Sequence, residues 1–246
     1  MAKDALVLVT GASGGVGASV SEFLLQSGWR NLACQYRSNP DAIAAVLGRY
    51  GLDPCQRLLR ADLTDENDIA SLRQSVKERF GSVYGLVNLA GGSSNRMSWK
   101  MSRQEFQQII DVNLMTTFLT CREFIPEMRE QAGGRIVNIS SVVAHTGVVG
   151  ASHYSAAKAG IVGFSKSLAL ELAPKNIAVT VVALGYFDYG LIHSIPAEQR
   201  ELIRGRIPVQ QFGQAEHLGG LLSFLLSDAG AYSSGQIYHL NGGLYS

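Results

Sequence analysis

A tyrosine and a lysine stand four residues apart in Tyr154-Ser155-Ala156-Ala157-Lys158, a spacing that puts both on one face of a helix. Tyrosine ordinarily titrates near ~10, too high for efficient proton transfer at neutral pH. A neighbouring ammonium favours the phenolate and lowers that value, which would bring Tyr154 into the range of a general acid–base. Such pairs also arise by chance on surface helices, so the surroundings decide. Ser141 lies thirteen residues before Tyr154, just past the C-terminal end of a strand-like run, Arg135 to Ile139. Catalytic groups collect at that end of a parallel sheet, and the hydroxyl of Ser141 is placed to hold a substrate oxygen beside the tyrosine.

A second constellation is Thr10-Gly11-Ala12-Ser13-Gly14-Gly15-Val16-Gly17, between the first apolar run and the first helical pattern. Glycines there permit a tight turn and a close approach of the backbone to a bound group. The helix N-terminus that follows offers free N–H groups and partial positive charge to a pyrophosphate. The same residues satisfy G-x-S-x-G, the nucleophile elbow of serine hydrolases, with Ser13 as nucleophile. Elbows of that kind follow several strands rather than the first, and Gly17 has no role in one. Nucleotide binding is the better reading of the turn.

The elements that position these groups are legible as alternation. Runs rich in β-branched residues and leucine at Ala5–Val9, Leu32–Tyr36, Arg57–Ala61, Tyr84–Leu89, Arg135–Ile139, Ile177–Leu184 and Gln236–Leu240 read as strands, the first a continuous apolar run buried on both faces and Arg57–Ala61 a weaker pattern. Between them, amphipathic patterns predict helices over Gly15–Ser27, Asp41–Tyr50, Asp65–Phe80 with Thr64 as cap, Ser102–Gln131, His153–Leu172 and Gln214–Leu226. Strand–helix alternation at this spacing implies right-handed crossovers and an α/β, doubly wound, mostly parallel sheet with helices on both faces. Residues 1–246 read as a single domain, for there is no repeat and no proline-rich linker. The stretch from Gly185 to Pro208 follows a strand's C-terminal end without a secure element, which makes it a candidate lid.

Composition narrows the partners. Among 246 residues, 46% are hydrophobic and the net charge is +1, so a core is affordable in size and no field gathers nucleic acid or acidic lipid. No apolar run approaches the ~20 residues that span a bilayer. Three scattered cysteines, Cys34, Cys55 and Cys121, suit free thiols in a reducing cytoplasm and supply no metal site. Asn138-Ile139-Ser140 matches a glycosylation sequon, read as accidental without a secretion signal.

The chain resembles the short-chain dehydrogenase/reductase family, and within it the 3-oxoacyl-(acyl-carrier-protein) reductase type, over essentially its whole length. The resemblance rests on the Thr10–Gly17 turn, Asp62 after the third strand, Asn88-Leu89-Ala90-Gly91 after the fourth, Asn113 in the long helix, Asn138-Ile139-Ser140-Ser141, the Tyr154–Lys158 motif and Asn241-Gly242-Gly243. It implies a Rossmann-type fold and a hydride exchanged between a nicotinamide cofactor and a carbonyl or alcohol. Tyr154 would carry the proton and Ser141 would bind the substrate oxygen, with Ser140 as the alternative that the family spacing disfavours. Lys158 would hold the nicotinamide ribose and lower the tyrosine pKa, and Asn113 would position a proton-relaying water. The implied cofactor contacts are Gly11, Ser13, Gly15, Val16, Gly17, Arg37, Asp62, Leu63, Asn88, Ala90, Gly91, Tyr154, Lys158 and Gly185. A non-catalytic dinucleotide-binding protein is the alternative of another class, although one would expect it to lack some of Asn113, Ser141, Tyr154 and Lys158.

The second strand ends Gln35-Tyr36-Arg37-Ser38, with no acid for ribose hydroxyls and an arginine placed for a 2′-phosphate, so NADPH/NADP is expected over NADH. Gly14 stands where many NADP-using relatives carry a basic residue. After the sixth strand, Leu184-Gly185 and Tyr189 replace the usual Pro-Gly and threonine. Tyr186, Phe187 and Tyr189 either line a substrate pocket or pack the lid on the core. The resemblance also implies a homotetramer and a 3-oxoacyl thioester substrate carried by acyl carrier protein. Lys175 matches one basic docking position and Ala132 replaces another; a CoA thioester or small ketone is the alternative substrate.

Overall fold

A computed structural model describes residues 2–131 and 133–246; Ala132, singled out above, lies outside the described residues. The chain runs β1 (Val7–Val9), α1 (Gly15–Gln26), β2 (Leu32–Tyr36), α2 (Asp41–Arg49), α3 (Pro54–Arg57), β3 (Leu58–Arg60), α4 (Glu66–Phe80), β4 (Gly85–Asn88) and α5 (Arg103–Ile110). It continues with α6 (Thr116–Glu130), β5 (Gly134–Ser141), α7 (Val143–Thr146), α8 (Ser152–Leu172), β6 (Ile177–Leu184), α9 (Ala197–Arg206), α10 (Ala215–Leu226) and β7 (Ile237–Leu240). The sheet order is β3-β2-β1-β4-β5-β6-β7, and every pairing is parallel. The order reverses between β1 and β4, the crevice at which such sheets bind ligands.

The first strand shows why its sequence is a continuous apolar run. Val7 and Val9 face one layer, with Leu24 of α1, Leu47 of α2 and Leu222 of α10. Leu6 and Leu8 face the other, with Leu72 of α4, Phe124 of α6 and Leu168 of α8. Each such fully buried side chain contributes about 1.5–3 kcal/mol, and because helices cover both faces of β1 none of its positions is given to a polar residue.

The long helix expected over Ser102–Gln131 is interrupted. Ser102 and Glu105 form a reciprocal capping box at its start, but residues Asp111–Met115 adopt a π-helical turn between α5 and α6. Side chains compete with the backbone ladder there. Asn113 Nδ2 donates to Ile109 O at 2.9 Å, and the Thr116 and Thr117 hydroxyls donate to Asn113 O at 3.1 and 2.8 Å. These bonds favour a widened turn over regular i→i−4 pairing. The cap of α4 also differs from expectation. Asp65, not Thr64, accepts from Asn67 N and Asp68 N, because Thr64 is turned onto Asp62 Oδ1 at 2.7 Å.

Strand β5 runs two residues further than expected, so that Ser141 is its last residue, paired with Leu184 of β6. The short helices α3 and α7 carry too few residues for a periodic signature. Within 185–208 the chain forms a 3-10 turn, Gly190–Ser194, and then α9. Asn138 of the sequon is fully buried in β5, where no glycan could be attached. Among the described residues no helix is long and apolar enough to cross a membrane.

Candidate active site

The glycine turn leaves β1 and is held from two sides. Gly11 N donates to Gln35 Oε1 at 2.8 Å, and Gln35 Nε2 donates to Ala61 O at 2.7 Å. A buried glutamine thus ties the turn to the ends of β2 and β3. On the other side, Leu89 N and Ala90 N both donate to Thr10 Oγ1 at 3.1 Å. Gly11 has φ +64°, and a Cβ on it would lie 2.8 Å from Ala90 Cα; one on Gly17 would lie 2.3 Å from Gly11 O. Only glycine fits at either position. Helix α1 begins at Gly15 with no side chain capping its first N–H groups, the donor set a pyrophosphate accepts. The residues present fit a dinucleotide. Gly15 does a further job, since a Cβ there would stand 3.0 Å from Gly190 N; its bareness lets the 185–208 segment lie against the turn.

At the end of β5 the two serines divide. Ser140 Oγ donates to Lys158 O at 2.8 Å and is buried, fastening α8 to the sheet. Ser141 Oγ donates to Leu184 O at 3.5 Å and accepts from Val143 N at 3.4 Å, and it stands near enough to the Tyr154 phenol to favour the phenolate. Lys158 reaches under the tyrosine, with Nζ donating to Ile139 O at 3.0 Å and lying 5.6 Å from the Tyr154 ring centroid. Asn113 closes the group through Nδ2 to Gly92 O at 2.8 Å. A Cβ on Gly91 would sit 2.6 Å from Asn113 Oδ1 and 3.5 Å from Lys158 Nζ. Asn113, Ser141, Tyr154, Lys158 and Gly91 are therefore brought together.

The electrostatics depart from the sequence expectation. Burial lowers the Lys158 ammonium to about 8. Burial also pushes the Tyr154 phenol up to about 12, against the opposing influence of Ser141. The ammonium faces the ring and a carbonyl rather than the phenolic oxygen, so desolvation outweighs the lowering expected from it. Tyr154 is thus a protonated group near neutral pH, and Lys158 sits close to the pH at which it can exchange a proton.

The remaining expected contacts line the sheet's C-terminal edge unequally. Arg37 is exposed immediately after β2, and its backbone carbonyl accepts from Arg60 Nε at 3.2 Å. Bonds from Thr64, with Arg37 nearby, hold the Asp62 carboxyl below its usual range. Leu63 is buried in the core, which leaves only its backbone to face the crevice. Asn88 does not reach the crevice with its side chain. Its Nδ2 donates to Asn138 Oδ1 at 2.9 Å and its Oδ1 accepts from Thr120 Oγ1 at 2.7 Å. Gly185 is required for packing, as a Cβ there would lie 2.6 Å from Asn241 Cα. Phe187 is buried in the core, its ring against Gly213, while Tyr189 is partly buried against the same cluster; of the two expected roles, these residues show packing of the 185–208 segment on the core. Lys175 follows the far end of α8, roughly 30 Å along the helix from Tyr154 at ~1.5 Å per residue.

Sequence reasoning missed the anchoring roles of Gln35 and Thr10. A buried polar residue in an otherwise apolar strand was the available signal for Gln35. It also missed a ring cluster in which His145 of α7 stacks on Tyr245 at 4.8 Å and meets His239 of β7 edge-on at 4.8 Å.

Comparison with known proteins agrees with this geometry. A family model described as short chain dehydrogenase matches residues 5–200. The 3-oxoacyl-[acyl-carrier-protein] reductase FabG of Escherichia coli K12 is 36% identical over 241 residues, covering 98% of this chain and 97% of the relative. The protein of the same name from Staphylococcus aureus Mu50 is 36% identical over 248 residues, 100% and 99% of the two chains. That from Salmonella typhi is 35% identical over 241 residues, 98% and 97%. The serine-hydrolase reading of Ser13 and the non-catalytic reading are set aside by these matches. The chain belongs to the short-chain dehydrogenase family and is an NAD(P)-dependent oxidoreductase.

Proposed function

We propose that the protein reduces a 3-oxoacyl thioester to its 3-hydroxyacyl form with NADPH, and that Tyr154 is the proton donor. The observation carrying this reading is a buried Tyr154 beside Ser141, with Lys158 Nζ 5.6 Å from its ring centroid and lowered by burial to about 8. The nicotinamide, when bound, supplies the hydride. Ser141 and Tyr154 then hold the carbonyl oxygen between two hydroxyls, and Tyr154 gives up its proton as negative charge develops on that oxygen. A phenol near 12 remains protonated until an alkoxide, a much stronger base, forms beside it. Lys158 would hold the nicotinamide ribose, and its ammonium, 5.6 Å from the ring centroid, favours the phenolate that the transfer leaves, with Asn113 holding the path by which a proton returns from solvent.

The cofactor turn and α1 N-terminus would take the pyrophosphate, with Gly11, Ser13, Gly15, Val16 and Gly17 at the turn. Asp62, the Leu63 backbone, Ala90 and Gly91 would border the adenine and ribose. Arg37, exposed and free of any ion pair described, supports NADPH over NADH because it meets a 2′-phosphate with a guanidinium. Residues 185–208 act as the lid of a single domain, closing against Gly15. The names of the relatives support acyl carrier protein as the thioester's bearer. Lys175, remote from Tyr154 in its own chain, could serve that docking only at another copy's entrance, which fits a homotetramer. A cytoplasmic location completes the reading, supported by three free cysteines, two of them buried.

The test compares NADPH and NADH consumption on one 3-oxoacyl group presented on carrier protein, on CoA and as a simple ester, with a small ketone alongside. Tyr154→Phe should lower kcat by about 10²–10⁴-fold and leave NADPH binding within about twofold. Absence of turnover on every carbonyl, or a Tyr154→Phe variant with full activity, would refute the assignment.

A further inference from the structure

Residue His153 immediately precedes Tyr154, and its ring is completely enclosed. Its Nε2 lies 3.1 Å from Ser94 Oγ. Two more bonds join the same segments: Arg96 N donates to Gly150 O at 2.7 Å, and the Ser98 and Ser152 hydroxyls are 2.8 Å apart. Residues 94–98 are thereby strapped to residues 150–153 at the mouth of α8. The strap's other end is Gly92, held by Asn113 and next to Gly91, where a Cβ would lie 3.5 Å from Lys158 Nζ. Its two anchors, Asn113 and the residue before Tyr154, thus tie it to the elements that carry the reacting groups. Helix α8 begins at Ser152, and Ala151 before it provides no side-chain cap, so no capping side chain duplicates this hold on its first turn.

We infer that His153, acting through Ser94, is a positioning residue that aligns the segment 93–100 as the substrate-side wall of the Tyr154 site. The wall is apolar at its lip, where Met97 and Trp99 are exposed on the strap and Val148 and Val149 on the adjoining turn. Of the three bonds, only the one to His153 has a fully enclosed partner, and an enclosed bond loses least to competing water. Its chemistry follows from the other ring nitrogen. His153 Nδ1 is buried and has no partner among the described residues. A bare lone pair there costs less than an unsatisfied N–H, so the neutral ring carries its proton on Nε2 and donates to Ser94 Oγ. Protonation would place a second donor where no acceptor stands.

The charged groups facing the ring are few. Glu105 of α5 favours the charged ring, but it already accepts from Ser102 N at 2.7 Å and pairs with Arg96 at 3.7 Å. The ring of Phe106, 6.4 Å away, offers no acceptor. Burial prevails and holds His153 below its ordinary value.

The inference rests on the proposed role of Tyr154, and the experiment separates the two. Steady-state kinetics with NADPH would be measured for Ser94→Ala, His153→Phe, the double variant, His153→Gln and Tyr154→Phe, with melting temperatures. Loss of the strap should raise KM for the carbonyl substrate about tenfold in Ser94→Ala and in His153→Phe, from the loss of one enclosed bond. The double variant should be no worse than either alone, and KM for NADPH should stay within about twofold. His153→Gln, whose amide N–H can still donate to Ser94, should restore the carbonyl KM and remove the rise that protonation of His153 brings at a pH below the ordinary histidine range. Unchanged carbonyl KM in both single variants would overturn the inference, as would equal rises in both KM values with a fall in melting temperature. Tyr154→Phe with undiminished turnover would overturn the functional reading beneath it; an inactive Tyr154→Phe beside an unaffected Ser94→Ala would overturn the positioning role alone.

Discussion

Replacing Lys158 with methionine should make the protein more stable at pH 7 while abolishing its turnover. Burial depresses the ammonium from 10.5 to about 8, and each pH unit of such a difference corresponds to ~1.4 kcal/mol. The charged lysine therefore costs the folded state on the order of 3 kcal/mol. Methionine has similar length and no charge, but it abandons the bond to Ile139 O, worth about 1 kcal/mol. The net gain is about 2 kcal/mol. With roughly 2.1 cal/mol/K of unfolding entropy per residue, a chain of this size should melt about 4 °C higher. The pH dependence follows from counting protons. Below pH 8 both folded and unfolded wild-type chains hold the proton, so the penalty is constant. Between pH 8 and 10.5 only the unfolded chain holds it, so wild-type stability rises with pH and the variant's advantage disappears. Calorimetry of both proteins from pH 7 to 10.5, paired with a carbonyl-reduction assay, tests this directly. A variant that melts below wild type at pH 7, or a gap that stays constant to pH 10.5, would refute the claim that burial sets the lysine's pKa.

Three further outcomes are expected. Gln35→Leu strips the partners from Gly11 N and the buried Ala61 O, which should cost about 2–4 kcal/mol and raise KM for the cofactor more than KM for the carbonyl substrate; thermal melts and two-substrate kinetics measure both. Arg37→Glu should raise KM for NADPH at least about tenfold and leave NADH use unchanged or improved, as a comparison of the two cofactors would reveal. Gly91→Ala drives a Cβ to 2.6 Å from Asn113 Oδ1. It should lower kcat about tenfold or more in a protein whose circular dichroism is unaltered, since small misplacements near reacting groups are costly.

The strands were legible because each is an apolar run closed by a turn, and β2 and β6 begin and end where the pattern places them. The Tyr154–Lys158 spacing, Ser141 and the glycine turn were equally visible, since chemistry demands those residue types at those separations. The π turn at Asn113 was not visible, because side chains of Asn113, Thr116 and Thr117 redirect the backbone bonds without disturbing the apolar periodicity. The preference for Ser141 over Ser140 was visible in the family spacing, but its physical ground was not. Adjacent strand residues point to opposite faces, and only the position of α8 decides which face carries the chemistry.

The residues alone therefore determined the class of fold, and they marked the glycine turn and the Tyr154–Lys158 pair proposed for cofactor binding and proton transfer, all of which are local patterns read at fixed spacing. Tertiary structure decided what those groups are like. It withdrew Asn88 into a network with Asn138 and Thr120, turned Ser140 into a fastening for α8, and enclosed His153 against Ser94. It also raised Tyr154 and lowered Lys158 by removing water from both. Desolvation and close approach depend on which distant segments converge, and separation along the chain carries no record of that.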